Sequence, residues 1–221
     1  SRLATFRHPQ LVTVYVVYGL VAVGLVPHMV FLVDFIARGL SRGLDVGGWY
    51  WIVFGVGALL GPVIAGRLAD SIGFANALRC ALVFQVVCVA LPVFNTTTAA
   101  LIVSSLFVGG AVSGTVPLAL GRTQEIITDS RDRKTAWSVA TIVFALGQAS
   151  AGYLFSYIFA ATDGDYSLLF TFGSAAMGLA LIVALIPHGS AARKPQPTAA
   201  PIPAEHLRVR QPESFPPTDT Q

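Results

Sequence analysis

Ionisable side chains are scarce inside the apolar runs of this 221-residue sequence, so the few that occur there are where chemistry is to be sought. His28 stands within the first run and Asp34 near its end. An ionisable group at membrane depth is costly and is usually kept for function. An imidazole that titrates near neutral pH suits proton coupling or contact with a substrate, and a hydrogen-bonded place between helices accounts for it equally well. Asp34 reads as an interfacial acid. Six positions on a helix rotate His28 and Asp34 by about 240°, so they do not form an acid–base pair on one face. The uncharged polar residues Tyr15, Tyr18, Gln85, Thr115, Gln148 and Tyr153 are the candidates for lining a solute cavity. Catalytic patterns such as H-E-x-x-H and G-x-S-x-G are absent, and no Cys/His spacing suits a metal. No enzymatic activity, metal or cofactor is expected. Cys80 and Cys88 lie about 12 Å apart along one helix, too far for a disulfide. Asp163 and Asp165 flank Gly164 and read as solvated turn residues.

The elements that position these residues follow from composition. Charged residues make up 11% of the chain and hydrophobic ones 54%, against about 25% charged in an ordinary soluble domain. A helix needs roughly 20 apolar residues to cross a bilayer. Six such segments occur, near 11–34, 48–66, 76–94, 98–120, 136–160 and 166–186. The expected class is an all-α membrane protein with six transmembrane helices. The first segment is too long for the core of a signal peptide and reads as a permanent span. Twelve of the fourteen Lys and Arg residues fall on the side that holds both termini and the second and fourth loops. By the positive-inside rule that side is cytoplasmic. Without a basic stripe interleaved with aromatics, the surplus of positive charge points to membrane topology and not to nucleic acid.

Along the chain, Pro27, Pro62, Pro92 and Pro117 place one kink site in each of the first four spans. Gly57, Gly61 and Ala65 stack on one face of the second helix, and Gly110 and Gly114 on one face of the fourth, so both suit close helix approach. Loops are expected over 35–48, where Trp49-Tyr50-Trp51 then marks the headgroup boundary, over 66–75, and over 122–134. Asn95-Thr96-Thr97 is a turn and an unused glycosylation sequon. The organisation expected is a linker over 1–10, a membrane domain over 11–187 and a disordered Pro-rich tail over 188–221. From the start without Met the expectation is either a processed chain or, as the preferred reading, a piece of a longer one.

The polar break Gly66-Arg67-Leu68-Ala69-Asp70-Ser71-Ile72-Gly73 between the second and third spans resembles the G-x-L-a-D-x-x-G signature of the major facilitator superfamily (MFS). Gly66, Leu68, Ala69, Asp70 and Gly73 fit it. Ser71, Phe74 and Ala75 depart from the basic residues usual in the family. The Gly-rich run Gly109 to Pro117 also resembles the fourth helix of an MFS half, with Ser104 and Ser105 near the place of its missing Arg. The resemblance implies an MFS-like half bundle of two inverted three-helix repeats, in which Asp70 accepts hydrogen bonds at a helix N-terminus and gates the cytoplasmic side. It implies the C-terminal half of a secondary transporter that moves a small solute by alternating access. The partners would be the bilayer, a missing N-terminal half, and a proton coupled through His28. The setting expected is a bacterial cytoplasmic membrane. The alternative is a non-transport six-helix interaction or sensor protein acting as a homo-oligomer.

Overall fold

The computed structural model describes residues 8–186. They form six helices long and apolar enough to cross a membrane: α1 (Pro9–Gly39), α2 (Leu44–Ile72), α3 (Phe74–Phe94), α4 (Thr98–Ile126), α5 (Ser130–Ala161) and α6 (Tyr166–Leu185). The expected tail over 188–221 and most of the 1–10 linker lie outside the described residues, while Pro9 and Gln10 already belong to the first turn of α1.

Three expected loops are mostly helix. Residues 66–72 continue α2 and only Gly73, at φ +81°, interrupts the chain before α3. The 35–48 loop shrinks to 40–43, and the 122–134 loop to the three residues 127–129. Charge marks where hydrocarbon ends, but helical hydrogen bonding continues until a residue stops it. Here the stops are glycines with positive φ at 43 and 73 and an extended Asn95. Asp129 and Asp165 then cap the following helices, each carboxylate accepting two backbone N–H bonds.

Of the four prolines, Pro27 alone coincides with a change of helix type, while Pro62 and Pro92 leave the Ala58 and Cys88 carbonyls without a helical donor, and the Ser113 and Ser104 hydroxyls bond them instead. The turns Pro27–Phe31 and Phe35–Gly39 of α1 widen to i→i+5 bonding, as in the 2.8 Å bond from the Leu40 N–H to the Phe35 carbonyl. Pro62, Pro92 and Pro117 sit within continuous α-helix.

Helix adjacency has an internal symmetry that no sequence similarity announces. α2 packs along α4, and α5 along α1; α3 packs on α4, and α6 on α1; α3 and α6 pack on each other. Exchanging the first three helices for the last three turns this set of pairs into itself. Three crossings separate the triplets, so they run in opposite directions, and the bundle is a pair of inverted three-helix repeats. Its core joins Val21 and Leu25 of α1, Leu82 and Val89 of α3, Val108 and Leu118 of α4, and Phe170 and Met177 of α6. α5 is the opposite case, with 11% of its apolar window buried. Leu59, Leu146 and Ile182 are more than 60% exposed, which a bilayer tolerates and water does not.

Candidate transport site

Backbone approach between α2 and α4 sets the shape of the lobe. A Cβ on Gly57 would overlap the carbonyl oxygen of Leu106, one on Gly61 that of Gly110, and one on Gly109 that of Phe54. On Gly114 it would stand 3.0 Å from the Gly61 oxygen. The Ser113 hydroxyl donates across the same crossing to the Ala58 carbonyl. The four glycines singled out for packing, 57, 61, 110 and 114, therefore meet in one interface. The symmetric crossing of α1 and α5 is built likewise, with a Cβ on Gly147 at 3.0 Å from the Gly19 oxygen.

Behind this crossing two short polar chains join α3 to α4. The single proton of Ser104 Oγ goes to the Cys88 carbonyl at 2.7 Å. Ser104 can then only accept from His28, whose Nε2 lies 2.8 Å away. This makes the imidazole an Nε2–H tautomer, and its Nδ1 is a buried acceptor without a partner among the described residues. His28 is fully buried, edge-on to Phe170 at 5.1 Å. The second chain has the same logic. Thr115 Oγ1 donates to the Ala111 carbonyl at 2.7 Å and so accepts from Gln85 Nε2 at 2.8 Å. The Gln85 carbonyl oxygen is left buried and unpartnered, as is Ser105 Oγ.

The remaining sequence candidates are dispersed. Tyr18 is buried against Trp137 and Phe144, and Tyr15 has a buried hydroxyl without a partner among the described residues. Both lie about 15–20 Å along α1 from His28, by helical rise. Gln148 is half-buried and donates to Met29 Sδ at 3.0 Å. Tyr153 is 83% exposed on α5. α1 leaves one stripe uncovered, and it is apolar: Val12, Val16 and Val30 are exposed and Val23 half-exposed. The members sequence reasoning passed over are the Cys88 carbonyl, Phe170 and Met29. Their only signal was register, since Gln85 and Cys88 share a face of α3, and Ser104 and Thr115, eleven apart, share one of α4.

Polar contacts also hold the bundle at its ends. Asp34 is bonded by the Tyr166 hydroxyl of α6 and pairs with Arg38 at 3.1 Å, which fits an interfacial acid. Arg42 donates to the Thr96 carbonyl at 2.6 Å. At the opposite, more basic end, Arg79 Nε donates to the Ala184 carbonyl at 2.9 Å, and Arg122 pairs with Glu125 at 2.9 Å. The backbone N–H groups of Asp132 and Arg131 hold the Asp129 carboxyl below its ordinary range. Gly66, Leu68 and Asp70 occupy the end of α2, and Gly73 closes it. Asp70 is exposed, and among the described residues its carboxylate has no ion pair or hydrogen bond. It stands at the C-terminal end of its own helix, where the dipole disfavours an anion, and among the described residues no helix N-terminus donates to it.

The comparisons with known proteins agree with this architecture. A family model described as uncharacterised MFS-type transporter YbfB matches residues 4–185. No curated protein matches. Among solved structures, a bacterial homologue of the iron transporter ferroportin, in an outward-facing state, is similar with a TM-score of 0.58 and 20% identity. The match covers 82% of this chain and 45% of that one, so the chain spans less than half the length of the transporter it resembles. At that identity the likeness speaks for the fold. With six spans in inverted triplets and a family model over nearly all of them, the chain belongs to the YbfB-type transporters of the major facilitator superfamily.

Proposed function

We propose that this chain is the C-terminal lobe of a secondary active carrier that moves a small solute across a bacterial cytoplasmic membrane by alternating access, with both termini in the cytoplasm. Its partner is a second six-helix lobe. The observation that carries this reading is the inverted pair of three-helix units, a construction suited to rocking as a body around a site at mid-membrane. A chain spanning 45% of a similar transporter leaves room for that second lobe. Six of the eight Lys and Arg residues described lie at the end holding the α2–α3 and α4–α5 junctions, which supports a cytoplasmic place for that end.

Gating falls to Asp70. An exposed acid held against its own helix dipole is stabilised when donors come from elsewhere, and the second lobe supplies them when the cytoplasmic side closes. Asp70→Asn in the full-length protein is expected to leave folding intact and shift cysteine accessibility toward the cytoplasm-open form. Unchanged accessibility on both faces would remove Asp70 from the gate. Proton coupling falls to His28, whose Nδ1 is the one imidazole acceptor buried in the lobe core among the described residues. Full pH-dependent uptake by His28→Ala would exclude that role.

A further inference from the structure

A cavity of about 280 Å³ forms a groove between α2, α3 and α4. On α4, positions 107, 111, 114 and 118 form the stripe between Gly110, which meets α2, and Thr115, which meets α3. Phe84 and Phe107, nearly parallel with centroids 6.1 Å apart, flank it. The glycines of the crossing bring the α2 and α4 backbones into contact beside it. Almost everything lining the groove is apolar, with Gln85 and Thr115 as the exceptions.

Gln85 is 97% buried, being 3% exposed, and the proton order fixes its amide. Turned over, the amide would set its oxygen against Thr115 Oγ1, whose only proton is already given to Ala111. The nitrogen therefore faces Thr115, and the carbonyl oxygen is left as a strong acceptor with no donor. A buried unsatisfied amide oxygen costs about 1–3 kcal/mol. A plain acyl chain would fill the groove and leave that cost in place.

We propose that this groove is a binding site for an apolar molecule dissolved in the bilayer that carries one hydrogen-bond donor, of the long-chain alcohol type. The apolar body lies along Phe84 and Phe107, and the hydroxyl donates to Gln85 once the side chains over its buried oxygen shift to uncover it. Because the groove is built from α2, α3 and α4 of this lobe alone, occupancy does not depend on the carrier cycle.

The test uses the full-length protein in nanodiscs, a photoactivatable C12 alcohol bearing a diazirine, and the matching diazirine alkane. The alcohol is expected to label peptides within 57–68, 81–85 and 106–118, to be displaced by unlabelled dodecanol, and to label at least about 5-fold more than the alkane, the ratio one hydrogen bond gives. Gln85→Leu should remove that difference. Ala81→Leu, which narrows the groove and keeps the Gln85 amide, should reduce labelling by both probes. Equal labelling by alcohol and alkane in the wild type would reduce the groove to ordinary lipid contact and overturn the proposal. So would an alcohol preference that survives Gln85→Leu, or labelling confined to other helices. Labelling without any transport activity would leave this site standing while counting against the carrier reading.

Discussion

Ser104 and Ser105 are neighbours of the same type, both fully buried, and they differ in what they hold. Ser104 links His28 to the Cys88 carbonyl, whereas the Ser105 hydroxyl has no partner among the described residues. Removing the Ser104 hydroxyl leaves a buried N–H and a buried carbonyl short of a partner, a loss of about 1 kcal/mol at membrane depth. Ser104→Ala should therefore lower the melting temperature in detergent, and Ser105→Ala should not. Equal shifts would show that the chain through His28 adds nothing to the lobe. That His28 was worth attention could be seen from its place in an apolar run. Which nitrogen carries the proton could not, because the answer depends on a hydroxyl 76 residues away whose own proton is spent on a third helix.

At the scale of the helix, glycines of one sequence type divide by environment. Gly61 meets the Gly110 backbone, while a Cβ on Gly66, one turn further along α2, would meet nothing within 4 Å. Gly61→Ala must push α4 away, at a cost of about 1–3 kcal/mol. Gly66→Ala relieves a flexible position within a helix and gains up to about 1 kcal/mol. Expression level and thermal stability of the two variants check this, and a tolerated Gly61→Ala would mean the crossing is looser than the backbone spacing implies. The small-x-x-x-small spacing in α2 and in α4 was legible, since period 3.6 puts such residues on one face. That these two faces meet each other was not, because spacing names a face and never its neighbour. Helix ends were misread for a related reason. The charged residues at the membrane boundary, Arg67, Asp70, Arg122 and Glu125, are good enough helix members to extend α2 and α4 beyond the hydrocarbon.

For the whole molecule, six crossings place the Asn95 turn and the Arg131 end of α5 on opposite faces of the membrane. With Cys80 and Cys88 replaced by Ser, a membrane-impermeant thiol reagent added outside intact cells should label Thr96→Cys and spare Arg131→Cys until the cells are opened. Labelling of both from outside would break the six-span topology, and the reverse pattern would invert its orientation. The internal two-fold likeness of the lobe belongs to this scale as well. It exists in the pairing of helices and, in residue type, at the glycines of the two equivalent crossings, while lipid-facing and core-facing positions elsewhere accept many apolar side chains of similar volume.

The amino-acid order alone determined that this chain lies in a bilayer, how many times it crosses, and which segment carries the MFS-like signature. Those follow from hydropathy, charge placement and a few residue types, all local quantities. Only the tertiary structure decided that Gly57 and Gly61 interlock with the α4 backbone, that Thr115 orients the Gln85 amide, and that His28 is enclosed instead of facing an open cavity. Each of these depends on which helix faces which and on where a single proton is spent, and neither is set until the six helices have packed.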